Sequence, residues 1–181
     1  ENVPIDDLQE GDDLSTIARK AGIIDENTGR PLYLLLDRAL SSGCKVIIAD
    51  ALDDEPYISS QLAPALEMTE QLVRGIELVK EAVGAESARI EIYKELGDSP
   101  VVIGEELGGI PVDRVGAGYP ADNSLIQKHR EDQALVFGAC ALIHLARAVD
   151  EKIAQTTVFV TVAGDGVTAS VNLEVSLDKT V

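Results

Sequence analysis

Cysteine is scarce in this chain, which has only Cys44 and Cys140 among 181 residues. The two lie far apart and both stand in apolar sequence, which is typical of a reduced, cytosolic protein. Two thiolates cannot hold an iron–sulfur cluster of the four-cysteine kind. Any such cluster would therefore have to lie outside this sequence.

Basic residues are also few. Lys and Arg number 15 against 32 Asp and Glu, and the net charge is -17. Nucleic acid phosphates are bound through Lys and Arg, so the composition argues against nucleic acid as a partner. The anionic membrane surface is disfavoured for the same reason, whereas docking on a membrane protein stays open.

Long hydrophobic runs are missing too. No apolar run reaches the roughly 18 residues of a spanning helix, and no signal-peptide pattern is present. We therefore expect a cytoplasmic protein without direct membrane insertion, which could still lie peripheral to a membrane complex. Because the sequence begins at Glu1 and not at Met, we expect an excised piece of a longer protein.

Familiar catalytic signatures are absent from the sequence. There is no GxSxG, no zinc-ligand spacing and no EF-hand loop. The glycine-rich stretches 105–111 and 116–120 do not follow GxGxxG, so they are weak signals for a phosphate loop. His144 stands in an apolar helical pattern, where a buried core histidine is favoured over a ligand.

The most informative stretch is CKVIIADALDDEPY at 44–57. Its β-branched run predicts a buried parallel strand, and ligands of open α/β sheets bind beyond the carboxyl ends of such strands. The strand is followed by four acids: Asp50, Asp53, Asp54 and Glu55. The residues alone leave two alternatives, a ligand or cation site and a solvated acidic turn.

Hydrophobic periodicity predicts an α/β fold: a three-layer sandwich with a mainly parallel central sheet and a C-terminal β-hairpin. A right-handed crossover should join the parallel strands 44–49 and 89–93. The predicted helices are 14–20, 31–41, 64–83, 123–130 and 134–149. The other predicted strands are 101–103 and 110–115, followed by the hairpin strands 156–163 and 170–175.

Four segments resemble motifs of a known family. They are VIIADALDDEPYIS (46–59), similar to a strand ending in N-x-x-E-x-E-P-Y; GYPADNSLI (118–126), similar to K-Y-P-x-G-x-E-x-x-L-I; ALVFGACALIHLARAVDEK (134–152), similar to N-V-G-T-A-x-A-I-x-x-A-V; and VFVTVAGDGV (158–167), similar to V-T-V-x-G-D-A-V. The family is the flavin- and NADH-binding domain shared by the 51 kDa subunit of NADH dehydrogenase and RnfC-like electron-transport proteins.

The resemblance implies an electron-transfer protein that works as a module of a larger redox protein. Its α/β domain would cover 1–155, and 156–181 would lead into a small β module. FMN and NADH are the implied cofactors, the iron–sulfur clusters lie outside this fragment, and other redox proteins or subunits are the implied partners. An active protein would be an NADH-linked oxidoreductase. The implied cofactor-binding residues are Asp50, Asp53, Glu55, Tyr57, Tyr119 and Gly138.

One departure from the family bears on the flavin. The family's loop G-x-G-G-A-G-F-P is replaced here by DENTGRPLY at 25–33. Asp25 and Glu26 would obstruct and repel a flavin phosphate, so we expect poor FMN binding. Two hypotheses follow: a redox module with a degenerate flavin and NADH site, and a non-catalytic partner-binding or scaffold domain of the same fold. In both, the acidic turn at 50–55 should form the mouth of the main cleft, facing Tyr119 and residues 138–141.

Overall fold

The computed structural model describes residues 2–53, 58–94, 103–116 and 133–178. The helices are α1 (Leu14–Lys20), α2 (Leu32–Ser42), α3 (Leu62–Glu67), α4 (Thr69–Val83) and α5 (Ala139–Asp150). The strands are β1 (Ile24–Asp25), β2 (Arg30–Pro31), β3 (Val46–Asp50), β4 (Ser87–Tyr93), β5 (Glu106–Leu107), β6 (Ile110–Val115), β7 (Ala134–Gly138), β8 (Thr157–Val162) and β9 (Val171–Ser176).

A five-stranded sheet in the order β5-β6-β4-β3-β7 forms the centre of the fold. All of its neighbouring pairs are parallel except β5 and β6. Ile47, Ile48 and Ile90 are fully buried, as expected for strands covered on both faces. The predicted fold class is confirmed, including the parallel pairing of β3 with β4.

Helix α4 connects β3 to β4 and packs closely against α5. Its residues Leu72, Ile76 and Val79 are fully buried at helical spacing. Gly75 lies between them, and a Cβ there would fall 2.1 Å from the main-chain oxygen of Leu142 in α5. Only glycine lets the two helices approach so closely, which accounts for a residue that otherwise weakens a helix.

The single helix predicted over 64–83 is wrong, because the chain forms α3 and α4 with a break at Met68 (φ -116°, ψ 42°). Thr69 donates its hydroxyl to the carbonyls of Ala65 and Leu66. Such local bonds compete with the regular helical ladder and bend helices. The apolar spacing runs through the break, so periodicity alone did not reveal it.

The helix predicted over 134–149 is wrong in its first turn. Residues 134–138 form β7, the edge strand next to β3, and the helix starts only at Ala139. A five-residue apolar run fits a buried strand and a buried helical segment equally well by periodicity. The other predictions fared better: α1 begins and ends as expected, with Asp13 as its cap, and β6 occupies 110–115. The helix predicted at 123–130 and residues 101–102 lie outside the described residues.

The C-terminal hairpin of β8 and β9 is antiparallel, as predicted, and forms its own two-stranded sheet. The face with Thr157, Phe159, Thr161, Asn172 and Glu174 contacts the α/β body, as the hydrogen bonds, ion pair and ring contact of these residues show. The opposite face is aliphatic, and its residues pair across the strands as Val158–Val175, Val160–Leu173 and Val162–Val171. This hairpin therefore directs its polar side inward.

Candidate functional site at the carboxyl edge of the sheet

The C-terminal ends of β3, β4 and β7 meet at one edge of the sheet, which we call the carboxyl edge. Asp50 is in register with Gly138 of β7 on one side and with Glu91 of β4 on the other. Two of the residues predicted to line a site are thus neighbours. Three others, Glu55, Tyr57 and Tyr119, lie outside the described residues.

Asp53 is the remaining predicted site residue, and its carboxylate caps the start of α3. It accepts hydrogen bonds from the main-chain amides of Gln61 at 2.9 Å and Leu62 at 3.2 Å, and from the Ser60 hydroxyl at 3.4 Å. These amides have no partner within the helix. Asp53 therefore has a structural task at the carboxyl edge.

Asp50 is buried, with 8% of its surface exposed. One carboxylate oxygen accepts the Leu52 amide at 2.9 Å, and the other accepts the side-chain amide of Asn27 at 3.0 Å. Asn27 belongs to the turn between β1 and β2. The turn between β1 and β2 therefore reaches the carboxyl edge.

Asp25 shapes this turn and ties it to the sheet. One carboxylate oxygen accepts the amide and the hydroxyl of Thr28, at 2.9 and 2.8 Å, as in an Asx turn. Gly29, with φ of 64°, completes the turn by donating its amide to the Asp25 carbonyl. The other carboxylate oxygen accepts the amide of Gly138 at 2.8 Å, and Asp25 is fully buried.

Glu26 caps α5 from a distant part of the chain. Its two carboxylate oxygens accept the amides of Cys140 at 2.7 Å and Ala141 at 3.0 Å. The cap residue Gly138 has no side chain for this purpose, and the free amides and positive end of the helix dipole favour an anion. A Cβ on Gly138 would lie 2.2 Å from the Glu26 carboxyl carbon, so glycine is needed to admit the carboxylate.

The protonation of Glu26 is unusual for a carboxyl group. Burial of the carboxyl raises its pKa to about 7, and the nearby charge of Asp25 acts in the same direction. Hydrogen bonds from main-chain amides, including those of Cys140 and Ala141, lower the pKa but do not offset the burial. Glu26 lies on an exposed turn, and its carboxyl group points inward to the helix end. This group changes charge near neutral pH.

Cys140 lies at the same helix end as a protonated thiol. Burial raises the pKa of its thiol far above the ordinary value, and the negative charge of Glu26 adds to the effect. Its Sγ donates to the carbonyl of Ser60 at 3.4 Å. Thiolates are the reactive form of cysteine, so this environment disfavours a nucleophilic role. Within the described ranges, no group of three or more potential metal ligands occurs.

Sequence reasoning missed what Asp25 and Glu26 do. It treated them as obstacles to a phosphate, whereas in the structure they supply the anions that the ends of β7 and α5 require. The available signal was Gly138-Ala139, a helix start with no capping side chain of its own. That signal became readable only once 134–138 was known to be a strand.

No family model and no curated protein sequence matches this chain. The fold and the site define an α/β domain in which a helix N-terminus at the carboxyl edge is closed by the chain's own carboxylate. Among the described residues, no helix has the length and apolar character needed to cross a membrane.

Proposed function

We propose that this chain is a module of an RnfC-like electron-transfer protein in which the flavin position is closed, so that it serves partner binding or assembly. One observation carries the proposal. The two segments that the resemblance assigns to the flavin, 25–33 and 138–141, are joined directly by three hydrogen bonds: Asp25 to the Gly138 amide, and Glu26 to the Cys140 and Ala141 amides.

The residues present do not fit the phosphate of FMN at this helix end. The amides that would bind a phosphate already donate to Glu26. An entering dianion would also meet Asp25, Glu26 and Asp50. Each pair of like unit charges 4 Å apart costs about 1 kcal/mol in water and about 4 kcal/mol near a protein surface, and a dianion doubles this cost.

The charge of the chain supports a particular kind of partner. A protein with net charge -17 attracts cationic surfaces, and such attraction raises association rates and falls with ionic strength. We expect the partner to be another redox protein or subunit with a Lys- and Arg-rich contact surface. Association with it should weaken steeply as salt is added.

Flavin titration tests the proposal. Calorimetry with FMN, and separately with NADH, should give no binding for the wild-type chain at ligand concentrations up to about 1 mM, a free energy weaker than about 4 kcal/mol. Glu26→Gly removes one anion and frees two amides, so it should bind FMN more tightly than wild type does. Glu77→Gln, an acid on the surface of α4, is the matched control and should leave binding unchanged.

The redox alternative makes the opposite prediction. If the chain is an NADH-linked oxidoreductase with an intact flavin site, the wild-type protein should take up FMN with micromolar affinity and gain a visible yellow absorbance. That result would overturn the closed site. A flavin found elsewhere in a longer protein would leave the proposal for this domain intact.

A further inference from the structure

The hairpin is held on α5 by two side chains of that helix. The His144 ring stacks on Phe159 of β8, with ring centroids 5.5 Å apart and an interplanar angle of 28°. One turn later, Arg147 makes a two-point contact with Glu174 of β9, at 2.5 and 3.2 Å. Thr157 supports the pair by donating its hydroxyl to Glu174 at 2.6 Å.

His144 is the weak point of this contact. Only 4% of its surface is exposed, and its Nε2 is buried with no hydrogen-bond partner among the described residues. A buried polar nitrogen without a partner is uncommon in folded proteins. The neutral ring tolerates this position through stacking, whereas a charged imidazolium would need a hydrogen-bond acceptor for each of its two donors.

The charged groups around His144 come from two elements. Arg147 and Glu151 lie at the end of α5, and Glu174 faces the ring from β9. They line a cleft of about 390 Å³ together with His144. Among the described lining residues, α4 contributes the uncharged Gln71, and β8 contributes Thr157. Arg147 and Glu174 form an ion pair, so Glu174 is not free to accept a hydrogen bond from a protonated His144 without sharing its carboxylate with Arg147.

A second contact links the hairpin to the carboxyl edge. The Ser59 amide donates to the Thr161 hydroxyl at 3.0 Å, and the Ser59 hydroxyl donates to Asn172 at 3.0 Å. The next residue, Ser60, contacts both Asp53 and Cys140. Movement of the hairpin would therefore break hydrogen bonds to Ser59, which is next to Ser60 at the candidate site.

We propose that the hairpin is a proton-sensitive clasp: neutral His144 holds it on α5, and protonation of His144 releases it together with its Ser59 contact. Two observations support this proposal. The His144 ring is stacked on Phe159 and buried, and the hairpin contacts the α/β body through only one of its faces among the described residues. It concerns a different region from the closed helix end and does not depend on the proposed function.

The electrostatics of the site agree with this geometry. Burial, together with the nearby charge of Arg147, lowers the pKa of His144 to about 4, while Glu174 acts in the opposite direction. A released ring in water would have the ordinary value of 6.5. The docked state thus binds fewer protons, so docking is fully favourable above pH 6.5 and weakens as the pH falls toward 4.

Nuclear magnetic resonance titration of the full chain gives the first test. The protein has two histidines, and the imidazole signal lost in His144→Phe identifies residue 144. We expect this signal to titrate well below the ordinary value of 6.5. In Phe159→Leu, which removes the stacking ring and keeps the histidine, the pKa should move back toward 6.5. Titration of wild-type His144 at or above 6.5 would overturn the proposal.

Hydrogen exchange gives the second test. Protection of residues 157–176, corrected for intrinsic rates and compared with β3 and β4 as the internal reference, should fall about 50- to 100-fold between pH 7.5 and 4.5 in wild type. In His144→Phe it should stay constant. Constant protection in wild type, or the same fall in both proteins, would refute the clasp. Should His144→Phe fail to fold, Phe159→Leu decides, because it should expose the hairpin already at pH 7.5.

Discussion

The first turn of α5 and the middle of the same helix both contain buried polar groups, but only those in the first turn are paired with a carboxylate side chain. At the first turn, the free amides of Cys140 and Ala141 receive a carboxylate from 114 and 115 residues away along the chain. In the middle, His144 is buried against Phe159, and its Nε2 has no hydrogen-bond partner in the described part of the chain. Main-chain amides at a helix start are unavoidable, so the sequence provides for them. A side-chain nitrogen can be tolerated when the ring's shape contributes to packing.

The two regions should also respond to pH with opposite sign. Glu26 has a pKa raised from 4.5 to about 7, so its contribution to stability is full below pH 4.5 and is lost as the pH rises through 7. His144 has a pKa lowered from 6.5 to about 4, so its contribution is present above pH 6.5 and is lost as the pH falls toward 4.

Gly138→Ala should have the largest effect, because it destroys the match at the helix start. The new Cβ would fall 2.2 Å from the Glu26 carboxyl carbon, expelling the carboxylate and leaving two amides unpaired. We expect a loss of about 3 to 4 kcal/mol in urea unfolding. Gly116→Ala is the control, since no atom of the described residues lies within 4 Å of its added Cβ. In a Glu26→Ala background, Gly138→Ala should cost far less; an equal cost would mean that Glu26 is not what it strikes.

His144→Phe should remove the acid sensitivity of the middle of the helix. Relative to wild type, the variant should gain about 2 kcal/mol of unfolding free energy between pH 7.5 and 4.5. The difference is smaller than the value calculated from the full pKa shift, because the hairpin can separate from α5 before the α/β domain unfolds. Chemical denaturation at several pH values measures this difference. A gap between the two proteins that does not change with pH would contradict the prediction.

Glu26→Gln should act in the other direction and by less. The glutamine keeps an acceptor for the helix amides but cannot ionise, so its stability relative to wild type should rise by about 1 to 2 kcal/mol as the pH increases from 4.5 to 8. The figure is smaller than the full linkage value because Glu26 lies on an exposed turn, from which an ionised carboxylate can turn toward water. The same denaturation series tests it, and a relative loss of stability on raising the pH would reverse the sign assigned here.

Arg74→Ala should have the smallest effect. Arg74 joins α4 to the end of α5 through Asp150 at 3.0 Å, but both side chains are nearly half exposed, at 44% and 46%. Exposed pairs contribute less than about 1 kcal/mol, and salt screens them. Thermal unfolding at low and high salt should show a small loss that disappears at high salt. A loss comparable with that of Gly138→Ala would show that the ion pair at this end of α5 contributes as much as the capping contact at its start.

Much of the fold was predictable from local patterns. The β-branched runs of β3 and β4 and the alternating pattern of the hairpin strands are each compatible with a strand only, and these strands were predicted correctly. β7 was not, because a short apolar run fits helix and strand alike until its neighbour in the sheet is known. The break at Met68 depends on a hydroxyl of Thr69 that periodicity ignores.

The candidate site was predictable only in part. Asp50 was expected at the carboxyl end of a buried strand, whereas Gly138 was put opposite it only because the resembled family builds its site from these segments. The pairing of Glu26 with α5 joins residues more than a hundred positions apart. A single sequence carries no local sign of such a contact, so the two acids could be read only as charges and not as caps.

The hairpin of β8 and β9 turns its aliphatic face outward, which affects the association of copies of this protein. On its outer face, Val162, Val171 and Leu173 are 40–47% exposed, while the chain as a whole has a net charge of -17. The repulsion between negatively charged copies opposes association through their exposed aliphatic faces. Salt shortens that repulsion to about 10 Å at 0.1 M. Raising the ionic strength should therefore favour association of copies through this face.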